Sequence, residues 1–268
     1  MPNNRMKINL SEYASLEEKS ECFLKSDKYE NNCIRTFDEF DNWFSYWEGV
    51  NQRRKYKVYF RGMSEAVSNT QAFKNPIYLS VDEWGAFGRN FMSILPVAQS
   101  FNSFIRHADV VKMGNFTMLT GLLSSDPKKG TFKSPLFYIF KAYSNNCLGS
   151  AVDTYVDCDT FNTEKYKGIP YLDVTTTYSK ETNTVFINVV NRHKDKAITA
   201  DIINTSGDFA GNAESSLINS KDLQEGFTFD KQNEYIPVKT AIDTKNNKLT
   251  CTFPPHSFTQ LKISVKGK

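Results

Sequence analysis

The sequence predicts a two-part fold, with an α/β segment in its middle and an all-β segment in its second half. From residue 76 onward, apolar runs of strand length alternate with amphipathic runs of helix length, a pattern typical of parallel β/α units. After about residue 146, many short strands separated by Gly, Asn and Pro turns predict a β-sandwich. The first third is expected to be mainly helical. We therefore divide the chain into segments 1–75, 76–145 and 146–268.

The helical prediction for the first segment depends on one clear element. Residues Thr36-Phe37-Asp38-Glu39 have the form of a capping box, in which the Thr and Glu side chains satisfy backbone amides of the first helical turn. Aromatic residues then recur at helical spacing, which indicates a packing face: Phe37, Phe40, Phe44 and Trp47. Gly49 is a plausible end for this helix. A weaker amphipathic helix is predicted over residues 10–25.

The middle segment contains two predicted β/α units. A strand over residues 77–81 precedes a helix that carries apolar side chains from Phe91 to Ile105. A second strand over residues 109–113 precedes a buried helix over 135–143. Because a closed (β/α)8 barrel needs eight such units, these two form a piece of something larger or an unusually small remnant.

The strands predicted for the final segment are short and bounded by turn residues. The first two flank Lys180-Glu181-Thr182-Asn183, which predicts a hairpin. The predicted strands cover residues 171–178, 184–191, 197–204, 235–240, 249–253 and 258–265. Together they predict an antiparallel β-sandwich.

Composition and charge argue against several classes of function. A formal net charge of +3 is too small to imply a nucleic-acid partner. The basic run at residues 53–57 alternates with apolar side chains, so a half-buried strand with a solvated basic face explains it better than a binding patch. The sequence contains no run of about 18 apolar residues that could span a membrane. Residues 1–10 lack the apolar stretch of a signal peptide, which favours a cytoplasmic location.

The cysteine and histidine residues predict neither a disulfide framework nor a metal site. The five cysteines are odd in number and show no C-x-x-C spacing. The three histidines, His107, His193 and His256, are far apart and lack ligand spacing. We therefore expect no metal and no cofactor.

The most informative stretch is the end of the first middle strand, where an apolar run stops at Asp82, Glu83 and Trp84. A strand end is a rigid place to hold a carboxylate, and an adjacent indole offers a flat apolar face to a sugar ring. This pattern suggests a sugar-binding active site. The alternative is a strand that runs into an acidic, solvated turn.

Several segments together resemble the carboxyl-terminal part of glycoside hydrolase family 51, the α-L-arabinofuranosidases. In order, they are Leu79-Ser80-Val81-Asp82-Glu83-Trp84, Ala108-Asp109-Val110-Val111-Lys112-Met113-Gly114-Asn115, Ser134-Pro135-Leu136-Phe137-Tyr138, Tyr171-Leu172-Asp173-Val174, Val189-Val190-Asn191-Arg192 and Pro255-His256-Ser257-Phe258-Thr259. The resemblance implies the last units of a (β/α)8 TIM barrel over residues 76–145, followed by a jelly-roll-like antiparallel β-sandwich over 146–268.

The resemblance also implies an activity and site residues. It implies a retaining hydrolase that releases terminal α-L-arabinofuranosyl groups, with Glu83 as the nucleophile. A second carboxyl group, acting as acid and then base, lies about 5–5.5 Å away in such enzymes. Asp82 is expected to tune Glu83 or to hold a neighbouring group, or to make only a structural hydrogen bond. Trp84 either shapes the sugar pocket or packs in the core.

The departures from the family pattern lead to two competing hypotheses. The family's acid/base is a Glu preceded by Asn on an earlier barrel strand, yet the only such pair here is Asn233-Glu234, in the predicted sandwich. Barrel strands one to about six have no counterpart, and Lys133-Ser134 occupies the place of a sugar-contacting Gln. The chain is therefore expected to be a truncated arabinofuranosidase, or one completed by a homo-oligomer or by a second chain with the other barrel half. The alternative is a non-catalytic descendant that binds arabinose-containing glycan or scaffolds a partner.

Overall fold

The computed structural model describes residues 78–85, 89–117, 121–163 and 166–266, and the backbone of residues 5–9. At Asp82 and Glu83 it describes the backbone. The helices predicted over residues 10–25 and around 36–49, and the basic run at 53–57, lie outside the described residues. None of the described helices is long and apolar enough to cross a membrane.

The described elements follow one another in a mixed order of strands and helices. They are β1 (Arg5–Asn9), β2 (Leu79–Trp84), a 3-10 turn (Phe91–Ser93), α1 (Ile94–Arg106), β3 (Val111–Phe116), β4 (Leu123–Asp126), β5 (Gly130–Lys133), α2 (Pro135–Asn146), β6 (Ser150–Asp157), β7 (Thr160–Phe161), β8 (Ile169–Pro170), β9 (Leu172–Ser179), β10 (Thr184–Asn191), β11 (Ile198–Asn204), β12 (Ala213–Ile218), a 3-10 turn (Phe229–Lys231), β13 (Val238–Ile242), β14 (Thr244–Lys245), β15 (Lys248–Phe253) and β16 (Ser257–Ser264).

Ten strands form a β-sandwich, as the sequence predicted. They are hydrogen-bonded in the order β13-β12-β16-β10-β9-β6-β1-β11-β15-β14. Strand β6 joins two sheets, because residues 150–152 pair with β9 whereas residues 153–157 pair with β1. We call the sheet on the β9 side the helix-side sheet and the one on the β1 side the outer sheet. Apolar side chains from both sheets, such as Val185, Ile187 and Ile202, meet in one core between them.

The two sheets differ in how their faces are covered. Along β15 in the outer sheet, buried and exposed residues alternate, which is the period-two pattern of a strand with one solvated face. Every residue of β10 in the helix-side sheet is buried. The second face of this sheet is covered because α1 packs against β9, β10 and β16. The molecule thus has a helical layer stacked on a two-sheet sandwich.

The middle segment folds as parallel β/α units. Strands β2 and β3 pair in parallel, with α1 as the crossover between them. Both strands run about three residues beyond the ends predicted from apolar runs, because residues 82–84 and 114–116, which include polar side chains, continue the strands. Helix α2 begins with Pro135 in its first turn, where a missing N–H is tolerated.

Strand β1 places the start of the chain inside the sandwich. Residues 5–9 pair in parallel with β11 on one side and antiparallel with β6 on the other. Nothing in five residues identifies such a strand, because its two partners lie more than a hundred residues away in the sequence. The sequence prediction also lacked strands β4, β5, β6, β7, β8, β12 and β14.

Candidate functional site

The end of β2 is a β-bulge centred on the two candidate carboxylates. Val81 pairs with Gly114 and Trp84 pairs with Phe116, so Asp82 and Glu83 together oppose the single residue Asn115. Such an extra residue kinks the strand and re-aims its side chains, and bulges are common next to active sites. The bulge therefore interrupts the regular strand at Asp82 and Glu83.

Trp84 anchors this strand end in the hydrophobic core. Its side chain is 5% exposed. The rings of Phe101, Phe104 and Phe116 meet the indole nearly edge-on, at centroid distances of 4.9, 4.9 and 5.1 Å. Aromatic pairs favour this edge-to-face geometry, because the positive ring edge meets the negative ring face. The indole Nε1 is buried without a hydrogen-bond partner among the described residues.

Glycines let these rings approach the backbone of the parallel pair. A Cβ at Gly114 would lie 2.8 Å from a ring carbon of Phe104, too close for any real contact. A Cβ at Gly121 would lie 2.9 Å from the Phe116 ring. A Cβ at Gly85, immediately after β2, would lie 3.4 Å from the same ring, which is at the edge of ordinary van der Waals contact. The strand end is thus supported by tightly packed aromatic side chains.

A long loop from the sandwich, residues 219–237, contacts the segment that follows the strand end. The Phe91 and Met92 amides donate to the Glu225 and Leu223 carbonyls at 3.1 and 2.8 Å, and the Phe227 amide donates to Arg89 O at 2.9 Å. The rings of Phe91 and Phe227 pack at 5.6 Å. The sandwich therefore helps to hold the chain on the carboxyl side of β2.

An internal ion pair holds the long loop in shape. The Glu225 carboxylate accepts hydrogen bonds from Lys231 Nζ and from Ser220 Oγ, both at 2.5 Å. These bonds, chiefly the one from Lys231, lower the pKa of Glu225 below its usual value. The loop is thus internally organised.

The comparison with known families identifies the chain. Residues 82–257 match the family model of the α-L-arabinofuranosidase C-terminal domain, which is well over half of the sequence. The chain belongs to this family. The match confirms the resemblance to the carboxyl-terminal part of the family 51 arabinofuranosidases that the sequence motifs predicted.

Individual relatives of this arabinofuranosidase domain support the assignment. The chain is 22% identical over 219 residues to intracellular exo-α-(1→5)-L-arabinofuranosidase 1 of Bacillus subtilis, a match covering 72% of the chain and 44% of that protein. The intracellular enzyme of the same kind from Halalkalibacterium halodurans is also 22% identical, over 51% of the chain and 32% of that protein. The chain therefore spans less than half the length of these curated relatives.

Solved structures show the same fold. A family 51 α-L-arabinofuranosidase from Bifidobacterium longum superposes with a TM-score of 0.67 at 16% identity, covering 85% of this chain and 48% of that one. The arabinose complex of the Thermotoga maritima α-L-arabinofuranosidase gives 0.65 at 19% identity, covering 89% of this chain and 50% of that one. The agreement of the sandwich with these structures supports the predicted fold class.

The structure brings some of the candidate residues of this arabinofuranosidase domain together and separates others. Asp82 and Glu83 share the bulge. The Trp84 side chain instead lies in the core among phenylalanines, where a residue that packs rather than binds sugar is expected. Asn233 and Glu234 lie in the long loop, ahead of β13. Sequence reasoning had extended β13 back to Tyr235, whose buried ring packs against Phe91. In a short apolar run, a residue that packs within a loop has the same sequence pattern as a strand residue, so the two cannot be told apart from sequence.

Sequence reasoning missed the buried charges that join α1 to the sandwich. Asp173 is fully buried. Its carboxylate accepts a hydrogen bond from Arg106 Nη1 at 2.8 Å and forms an ion pair with Arg192 Nη2 at 3.3 Å. Gln99 Oε1 accepts Arg192 Nε at 2.9 Å, and Asn102 donates to Asp173 at 3.0 Å. The signal was available, because Asp173 interrupts a strand of otherwise apolar and Thr residues. This network fixes the helix that follows β2 on its supporting sheet.

The described residues show no metal centre. Among residues 78–85, 89–117, 121–163 and 166–266, no group of three His, Cys, Asp or Glu side chains is placed to hold a metal ion.

Proposed function

We propose that this chain provides the nucleophile of a retaining α-L-arabinofuranosidase, and that Glu83 is that nucleophile. The observation that carries the proposal is the bulge, which places Asp82 and Glu83 opposite one residue at the carboxyl end of a parallel strand. The carboxyl ends of barrel strands are where β/α barrel enzymes keep their catalytic groups. Family membership adds the substrate class, terminal α-L-arabinofuranosyl groups of hemicellulose side chains or related oligosaccharides.

The reaction requires a second carboxyl group. The Glu83 carboxylate attacks the anomeric carbon and forms a glycosyl ester, while the bond to the leaving oxygen breaks and that oxygen takes a proton from a carboxylic acid. Water then cleaves the ester and returns a proton to the second group. General acid–base help is typically worth about 10²–10⁴-fold in rate. We propose that a complementing chain, which carries the other half of the barrel, supplies this group.

The neighbours of Glu83 have supporting roles in this proposal. Asp82 shares the bulge and is assigned to orient Glu83 or a sugar hydroxyl. Trp84, held by three phenylalanine rings, is assigned to fix the strand end that borders the sugar. We further propose that residues 76–145 are the last β/α units of the barrel and that the protein acts in the cytoplasm. Both of the relatives described above are intracellular enzymes, which supports this location.

The test uses an aryl α-L-arabinofuranoside, whose nitrophenol leaving group needs little protonation. We expect the chain to release nitrophenol and to gain the mass of one pentosyl group on a Glu83 peptide. Glu83→Gln should abolish both signals, because an amide is not a nucleophile for the anomeric carbon. Glu181→Gln, in the exposed turn between β9 and β10, is the matched control and should leave both signals unchanged.

A second candidate function is a non-catalytic arabinan-binding or scaffolding protein. It is favoured by the sequence before Glu83, which contains no Asn-Glu pair of the kind that serves as acid/base in the family. Binding of arabino-oligosaccharide, together with the absence of a pentosyl adduct in the mass measurement, would support this function over catalysis. An adduct that persists in Glu83→Gln would instead reject Glu83 as the nucleophile.

A further inference from the structure

A groove lies between the β4–β5 hairpin, the first turn of α2 and the long loop 219–237. Its volume is about 310 Å³. Apolar side chains from all three elements line it, namely Phe132, Tyr138 and Ile236. Polar side chains of Gln232, Asn233 and Lys133 also line it, together with Leu123 and Thr131.

The apolar part of the groove is exposed but rigidly supported. Ile236 is 52% exposed. Phe132 is buried and packs 6.1 Å from the Phe229 ring and 6.2 Å from the Tyr235 ring. Tyr138 is half-buried and meets Phe137 edge-on at 5.4 Å. The groove thus offers aromatic and aliphatic surface to a ligand without rearrangement.

The polar part of the groove is available for hydrogen bonding. The side-chain amides of Gln232 and Asn233 have no partner among the described residues. Each amide can donate two hydrogen bonds and accept two at its oxygen. Lys133 Nζ lies 5.2 Å over the ring of Phe137, which holds its charge at the edge of the groove.

The walls of the groove are fixed to each other. Lys129, in the hairpin turn, forms an ion pair with Asp230 of the long loop. The Tyr235 hydroxyl accepts from the Thr228 amide at 2.6 Å and donates to the Thr228 carbonyl at 3.2 Å. A preformed site loses little conformational entropy on binding. The groove therefore has the rigidity of a binding site.

The walls of the groove are attached to the chain segments that leave the carboxyl ends of the parallel strands. The hairpin follows β3, and the Ser134 amide and hydroxyl bond back to Leu122 O and Gly121 O, both at 3.0 Å. The long loop bonds to residues 89–92, which follow β2. Both walls of the groove are thus attached to the chain segments that leave the strand end of Glu83.

We propose that this groove is a subsite for a neutral arabinose-containing oligosaccharide, contacted away from the bond that is cleaved. A sugar ring has an apolar C–H face, which matches Phe132, Tyr138 and Ile236. Its neighbouring hydroxyls both donate and accept hydrogen bonds, which matches the amides of Gln232 and Asn233. The choice of arabinose rests on the proposed function, whereas the preference for a neutral saccharide follows from the lining.

The experiment measures arabinotriose binding by NMR to the full chain in the Glu83→Gln background, so that turnover plays no part. We expect the triose to shift the side-chain amide signals of Gln232 and Asn233. The double change Gln232→Ala with Asn233→Ala should weaken binding about tenfold or more, since it removes hydrogen bonds each worth about 1 kcal/mol. Ile236→Ser should weaken it as well, through loss of apolar contact.

The control is Asn212→Ala, an exposed amide just before β12, at the end of that strand opposite the long loop. It should bind arabinotriose like the parent. The inference is overturned if the triose does not bind, or if the groove variants bind it as tightly as Asn212→Ala does. Groove binding without a pentosyl adduct on Glu83 would overturn the catalytic proposal and leave the subsite standing.

Discussion

At the residue scale, the candidate site depends on how closely aromatic rings approach the backbone of β2 and β3. Gly114 is the partner of Val81, the last residue before the bulge, and the Phe104 ring occupies the space of its missing side chain. The same ring meets Trp84 edge-on at 4.9 Å. A change at Gly114 is therefore felt directly by the residue next to Glu83.

Gly114→Ala should destabilise the protein by about 1–3 kcal/mol, because the added methyl overpacks a close-packed site. Thermal unfolding measures this change as a lower melting temperature. Gly207→Ala is the matched control, since a Cβ there meets nothing within 4 Å and its backbone is not left-handed. It should be neutral or slightly stabilising. Equal melting temperatures for both variants would contradict the packing described around Trp84.

At the element scale, α1 is fixed to the sandwich by charge as well as by apolar contact. Its side toward β9 carries Gln99, Asn102 and Arg106, which all bond to buried polar groups of the sandwich. Helical periodicity predicted α1 from its apolar side chains alone. The sequence could not predict which sandwich residues bind these polar side chains, because Asp173 and Arg192 lie far from α1 in the sequence.

Asp173→Asn should destabilise the protein by about 3–5 kcal/mol, because it leaves two buried guanidinium groups without their counter-ion. Chemical denaturation measures the loss of unfolding free energy. The control is Asp208→Asn, which removes the exposed ion pair with Lys266 and should cost about 0–1 kcal/mol. Similar losses in both variants would show that the buried network does not hold α1 in place.

At the scale of the whole molecule, β1 closes the outer sheet between β6 and β11. It lies in the middle of the hydrogen-bonded order, so both its edges are paired. Loss of this strand would leave two unpaired strand edges inside the sandwich, which are sites for aggregation. The sandwich therefore requires residues from both ends of the chain.

Lys7→Pro should destabilise the sandwich by about 3 kcal/mol or more, because proline cannot donate to the ladder of an interior strand. Circular dichroism during thermal unfolding measures the effect. Lys7→Ala keeps the backbone N–H and should unfold close to the parent temperature. If the proline variant behaves like the alanine variant, β1 is not an interior strand in solution.

Local patterns in the sequence determine much of this protein's fold. The sequence predicted the β-sandwich, the parallel β/α units, most of the sandwich strands and the family, because period-two and helical patterns are local. Strand β10 was predicted with its observed bounds, 184–191. The position of Asp82 and Glu83 at the end of an apolar strand was equally visible in the sequence.

The tertiary structure decided what depends on contacts between distant residues. It showed that Asp82 and Glu83 lie in a bulge, that Trp84 is buried, and that the loop before β13 reaches the chain beyond β2. Strand β1 and the buried ion pairs of Asp173 also depend on contacts between distant residues. Their partners are far apart in the sequence, so no local pattern carries them, and only the packing of the whole chain fixes them.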